Sequence, residues 1–200
     1  MAAVLVNDWS TTAFIPGNFG NVFTDLGCLA HHLGSDQPFF GLQDTTDTPS
    51  QITAMAERYI EQIRAFQPEG PYLLGGICSG GLVAYEMAQQ LQRQGQNVVF
   101  LALVEIFAEK TNVRNLIKII INIFRRLFRR LGHTPTHAGE QEKPQTRAIR
   151  RRQLGAFLRL KAKVIANMLG VAGYAPEPYL GRVDMFLTEE SLTLYKPHLR

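Results

Sequence analysis

Residues 72–81 read Tyr72-Leu73-Leu74-Gly75-Gly76-Ile77-Cys78-Ser79-Gly80-Gly81, an apolar run that ends in a turn of small residues around a cysteine. The cysteine stands where the serine of a G-x-S-x-G nucleophile elbow stands. A nucleophile at the tip of a sharp strand-to-helix turn needs almost no side chain two positions to either side, because those neighbours crowd the adjacent backbone. Gly76 and Gly80 meet that demand around Cys78, whereas the same offsets from Ser79 fall on Ile77 and Gly81. The nucleophile reading therefore falls on Cys78, and Ser79 becomes the residue whose backbone N–H joins an oxyanion hole. The plain alternative is a glycine-rich turn with a buried cysteine.

Outward from the elbow, strand and helix signals alternate. Upstream, Ala3–Val6 and Thr12–Ile15 read as short strands, and a Pro16–Asn21 loop opens a helix over Val22–Leu33. Pro38–Leu42 is a further strand. Thr48-Pro49-Ser50-Gln51 then carries a helix start, with Thr48 expected as N-cap, and Ile52, Met55, Tyr59, Ile60, Ile63 and Phe66 mark the buried stripe. Downstream, Gly80–Gln94 is helical and closed by Gly95, the apolar run Val98–Val104 fits a parallel strand covered on both faces, and Arg182–Leu187 is the final strand candidate. This alternation predicts an α/β fold with a mostly parallel sheet and crossover helices.

With 200 residues, 46% of them hydrophobic and 19% charged, the chain holds one continuous core, and disordered or fibrous classes are excluded. The expected organisation is a single domain over residues 1–200 with a helical insert at about 108–178. The net charge of +4 hides a division: residues 111–163 hold 14 Lys/Arg against 2 Asp/Glu, so a stretch of +12 sits in a body of −8. Within it, a helix is expected over Val113–Leu131, apolar on one face with Arg125, Arg126, Arg129 and Arg130 on the other, and a second over Arg147–Met168. Such a stretch suits an acidic partner or an anionic ligand; contact with a membrane surface is the weaker alternative. Nucleic acid is not expected, because no recognition motif accompanies the arginines.

Only two cysteines are present, and Cys28 falls in an apolar periodic stretch, where it is expected in or near the core. No secretory leader is recognisable, so a reducing cytoplasm is expected. Histidines and cysteines do not fall at metal-ligand spacing, and neither a metal nor a resident cofactor is expected.

The order Pro16-Gly17-Asn18-Phe19-Gly20-Asn21-Val22, then Gly76-Ile77-Cys78-Ser79-Gly80-Gly81, then Leu101-Ala102-Leu103-Val104-Glu105 resembles the thioesterase domains of nonribosomal peptide and polyketide synthetases and their freestanding editing relatives. The resemblance implies an α/β-hydrolase fold, a helical lid, and acyl transfer from the phosphopantetheine thioester of an acyl or peptidyl carrier protein. It implies Cys78 as nucleophile where most members have serine, and Glu105, 27 positions on, as the catalytic acid where most have aspartate. It also places the backbone N–H of Asn18 beside that of Ser79 in the oxyanion hole. The family's histidine follows one further strand, and no matching motif surrounds His198, the histidine with the right order in the chain. The expectation is therefore a chain that stops before its histidine, last strand and last helix. Three functions stay open: an acyl-thioester hydrolase or cyclase, a carrier-binding remnant without catalysis, and a basic membrane-associated protein.

Overall fold

The structure, a computed structural model, describes residues 3–4, 12–17, 22–35, 38–45, 47–106, 155, 159 and 162–195. Its strands are β1 (Ala3–Val4), β2 (Thr12–Ile15), β3 (Phe39–Gly41), β4 (Tyr72–Ile77), β5 (Val98–Val104) and β6 (Asp184–Phe186). The helices are α1 (Val22–Leu33), α2 (Ile52–Arg64), α3 (Ser79–Arg93), α4 (162–172) and α5 (Glu189–Tyr195). The sheet order is β1-β3-β2-β4-β5-β6; β1 runs antiparallel to β3, and the other five strands are mutually parallel.

Side chains alternate across each strand and divide the core in two. Ala13, Ile15, Tyr72, Leu74, Leu101 and Leu103 face α2 and α3, where Met55, Tyr59, Val83, Met87 and Leu91 complete the larger cluster. Phe14, Phe39 and Ala102 face the other way and pack with Leu26 of α1. Leu74, Val83, Met87, Leu91 and Leu101 are wholly shielded, each contributing about 1.5–3 kcal/mol relative to exposure. Gly75, paired with Phe14 in register, leaves room for that ring: a Cβ there would fall 2.1 Å from Phe14.

Local expectations are met unevenly. Gly95 does close α3: its φ is +74°, its N–H reaches the Gln92 carbonyl at 3.0 Å, and Gln96 N–H reaches that of Leu91 at 2.9 Å, the paired bonds of a Schellman ending. Thr48 is not the N-cap of α2. Its hydroxyl takes the Thr45 N–H at 3.0 Å in a preceding turn, and Gln51 occupies the cap. Cys28 is exposed rather than in the core, because α1 turns its buried stripe through Leu26. The β5 run is buried only at Leu101–Leu103, with Val99 half exposed. The expected last strand shortens to Asp184–Phe186, where Arg182 bonds the Asp184 carboxylate at 2.7 and 2.9 Å.

The Val113–Leu131 helix, most of the Arg147–Met168 helix and positions 5–6 of the first strand lie outside the described residues. α4 docks on the β3–α2 loop. Lys163 reaches the Thr48 carbonyl, lies 3.6 Å from Asp44 Oδ1 and donates to Ser50 Oγ at 3.4 Å, and Asn167 Nδ2 donates to Asp44 Oδ2 at 2.8 Å. The following segment docks on α3. Buried Glu86 accepts from the Tyr174 hydroxyl (2.7 Å), Gln90 (2.9 Å) and Arg93 (3.2 Å), while Arg93 also pairs with Glu177 at 3.1 Å. Burial, and then the hydrogen bond to Glu86, push the Tyr174 phenol well above its ordinary range.

Candidate active site

Cys78 sits between β4 and α3 with φ 52° and ψ −123°, a conformation that side chains rarely adopt. Residues held so cost about 1–3 kcal/mol and persist where their surroundings fix them. The surroundings here are backbone. A Cβ on Gly76 would fall 2.3 Å from the Gly80 carbonyl oxygen, and one on Gly80 would fall 2.4 Å from that of Pro16 and 2.5 Å from that of Ile15. The end of β2, the end of β4 and the first turn of α3 therefore meet at a distance only glycine permits. Cys78 N–H donates to the Val104 carbonyl at 2.8 Å, and its own carbonyl accepts from Gly81 N–H at 3.1 Å.

Ser79, the first residue of α3, stands where backbone N–H groups point out of a helix toward an anion. Gly17 lies against the elbow from the β2 side: a Cβ there would come 3.2 Å from Cys78 Cβ and 3.2 Å from the Ile77 carbonyl. The loop expected to carry the other oxyanion donor thus reaches Cys78, and Asn18 itself lies outside the described residues.

Glu105 follows β5 directly. Ile77 and Val104 are partners across β4 and β5, so Cys78 and Glu105 leave adjacent parallel strands at one level. Glu105 too has a positive φ, 49°, and its N–H donates to the Phe186 carbonyl at 2.9 Å. Its carboxylate accepts from the Thr188 N–H on one oxygen and from Ser191 Oγ at 2.5 Å on the other. The Ser191 hydroxyl, then the Thr188 N–H, hold this carboxyl below the ordinary carboxylate range against a smaller opposing effect of burial. Thr188 and Ser191 were not among the residues singled out from sequence. Their signal was present in Thr188-Glu189-Glu190-Ser191, a capping residue followed by two acids, which marks a helix start.

His31 and His32 end α1, which runs back from the C-terminal edge of β2 to the N-terminal edge of β3, so they lie at the end of the sheet away from Cys78. His32 Nδ1 lies 2.7 Å from the Cys28 carbonyl. His133, His137 and His198 lie outside the described residues. An apolar cavity of about 230 Å³ is lined by Phe40, Leu42, Ile63, Phe66 and Tyr72, and no residue of the elbow 76–80 lines it.

A parallel sheet with a strained residue between a strand and the helix after it, and an acid at the end of the next strand, defines the α/β-hydrolase class. Comparison with known proteins narrows it. The thioesterase domain model matches residues 24–156, and the chain belongs to that family. The dimodular nonribosomal peptide synthase of Bacillus subtilis (strain 168) is 34% identical over 176 residues, covering 79% of this chain and 7% of the synthase. Malpinin synthetase of Mortierella alpina is 45% identical over 86 residues, 40% of this chain and 1% of that protein. The chain thus spans a small part of these relatives. Among solved structures, the NocB thioesterase domain in covalent complex with a fluorophosphonate nocardicin G analogue superimposes with a TM-score of 0.63 at 27% identity, covering 91% of this chain and 73% of that one. YbtT, a type II thioesterase of the yersiniabactin pathway, shares the fold at a TM-score of 0.62 and 14% identity, covering 100% and 85%.

Proposed function

We propose that this domain releases an acyl or peptidyl chain from the phosphopantetheine thioester of a carrier protein through an acyl-Cys78 intermediate. The observation that carries the reading is Cys78 at positive φ between Gly76 and Gly80, with the Glu105 carboxylate at the end of the adjacent strand. A base takes the Sγ proton, and Sγ attacks the thioester carbonyl. The tetrahedral oxyanion is held by the N–H groups of Asn18 and Ser79; the carbon–sulfur bond to pantetheine breaks, and the pantetheine thiol leaves with the proton. Water, or a nucleophile within the chain, then attacks acyl-Cys78 and restores the thiol. Glu105 orients and charge-stabilises the base, the role of the acid in a triad.

Cysteine changes the energetics of the middle state. An acyl-serine is an oxoester and lies below the incoming thioester; acyl-cysteine is another thioester and keeps nearly all of its activation. That favours a demanding second step, such as aminolysis or ring closure, over hydrolysis. The partner is an acidic carrier protein met by the basic stretch 111–163, which would belong to a lid over 108–178 of a single domain spanning 1–200. Among the described residues no helix is long and apolar enough to cross a membrane.

A second reading, a carrier-binding domain without turnover, is favoured by one observation: the histidines among the described residues, His31 and His32, end α1 and do not stand beside Cys78 or Glu105. One experiment separates the two. With a hexanoyl-phosphopantetheinyl carrier protein, the catalytic reading predicts repeated release of the acyl group, abolished in Cys78→Ala. The second predicts binding and at most one acyl transfer per chain.

A further inference from the structure

In a capping box, the side chain at the third helical position reaches back to the N–H of the cap residue. Thr188 caps α5: its carbonyl accepts the Leu192 N–H at 2.8 Å, and its hydroxyl accepts the N–H of Ser191, the third helical residue, at 3.3 Å. Serine at that position is too short to return the bond. The Thr188 N–H goes instead to Glu105, 83 residues earlier in the chain, so the glutamate of the box is supplied from the end of β5.

Ser191 closes the ring. It is 5% exposed, and its Oγ stands 2.5 Å from the second Glu105 oxygen and 3.0 Å from Thr188 Oγ1. An ionised carboxylate only accepts, so Ser191 donates to Glu105 and Thr188 Oγ1 donates to Ser191. Each carboxylate oxygen then has a donor fixed by α5, the Thr188 hydroxyl adds a smaller contribution to the same carboxylate, and each oxygen keeps acceptor capacity for a further partner. Glutamate has one more rotatable bond than the aspartate it replaces in the family resemblance, and a single donor would leave its carboxylate plane free to turn. Two donors, one per oxygen, fix that plane.

We infer that Ser191 is a positioning residue, which with the Thr188 N–H locks the orientation of the Glu105 carboxylate at the elbow. The inference rests on the reading of Glu105 as the acid of the site. The other carboxylates of α5, Glu189 and Glu190, are exposed, and the thiol of Cys78 is the titratable group at the end of the neighbouring β4.

The test compares the full chain with Ser191→Ala and Ser191→Thr, each first checked by thermal melting. The Glu105 side-chain carbon is followed by ¹³C NMR titration, assigned with Glu105→Gln. The clamp predicts a low midpoint in the parent, a higher one in Ser191→Ala, and a low one again in Ser191→Thr; a midpoint that Ser191→Ala leaves in place overturns it. Acylation of Cys78 by hexanoyl-N-acetylcysteamine is timed by intact mass in parallel. Ser191→Ala is expected to slow it about tenfold in the parent and to have no further effect beside Glu105→Gln. Equal slowing in both backgrounds would reduce Ser191 to a structural role and overturn the positioning claim. Absence of acylation in every variant would overturn the proposed function instead, with the titration still deciding the clamp.

Discussion

Cys78 and Glu105 are both non-glycine residues at positive φ, and both leave neighbouring strands at the same end of the sheet. Their strain is held by what surrounds them, and the glycines that permit it are not equivalent. An alanine at Gly76 places its Cβ 2.3 Å from a carbonyl oxygen that cannot step aside, whereas at Gly17 the nearest atoms are 3.2 Å away. Gly76→Ala is expected to destabilise by about 1–3 kcal/mol, at the upper end or beyond because the clash is with backbone, and Gly17→Ala by under about 1 kcal/mol. Urea unfolding of the two variants checks the order. Glu105 gives a second prediction. Its folded-state pKa is depressed, so its stabilising contribution is present above the ordinary carboxyl range near 4.5 and is lost as pH falls through the folded value. The stability gap between the parent and Glu105→Gln should therefore be constant from pH 7 to 5 and close below that; a gap that persists at the lowest pH would show the bonds to Thr188 and Ser191 to be indifferent to charge. At this scale the tight turn at Gly76, Cys78 and Gly80 was legible because it is a local constraint of five consecutive residues. Thr188 and Ser191 were not singled out, because their bonds are to a carboxylate 83 and 86 residues earlier in the chain.

Single elements show why helix ends resist a reading from sequence. Thr48 carries the right side chain for a cap, yet the competing turn with Thr45 takes its hydroxyl, and Lys163 of α4 takes its carbonyl. Cys28 shows a phase error: an apolar neighbourhood at helical spacing did not say which residue of α1 the sheet would cover. The contact of α4 with the 44–50 loop is built on charge in a nearly dry place, since the Asp44 side chain is 7% exposed and that of Lys163 13%. Removing one partner of such a pair strands the other. Asp44→Ala should cost about 3–5 kcal/mol and open the region of α4 to limited proteolysis, while Asp44→Asn, which keeps an acceptor for Asn167, should cost less. Equal stability of Asp44→Ala and the parent would show that α4 is held by other contacts.

Across the whole molecule, the alternation of strands and helices from β1 to β6 followed from hydrophobic pattern and turn residues, since a strand feeding a helix that returns to a parallel strand has few ways to pack, whereas α5 was not read from the sequence. The sheet's centre, β2-β4-β5, carries both the core and the candidate site. Leu74, with no exposed surface on the central strand, should lose about 2–5 kcal/mol when cut to alanine, read as a lowered midpoint of chemical unfolding. Charge is the other property of the whole. If the +12 stretch at 111–163 meets an acidic carrier, affinity should fall steeply between about 0.05 and 0.5 M salt, as measured by titration calorimetry. A salt-independent affinity would place the carrier on another surface.

The nucleophilic role proposed for Cys78 has a control within the chain in Cys28, an exposed thiol on α1. The direct measurement is peptide mapping by mass spectrometry after brief exposure to hexanoyl-N-acetylcysteamine. The acyl group trapped at this short exposure is expected only on the peptide containing Cys78, with Cys28 unmodified and nothing attached in Cys78→Ala. Acylation shared equally between the two cysteines at the rate of a simple thiol, or release of acyl groups that survives Cys78→Ala, would contradict it.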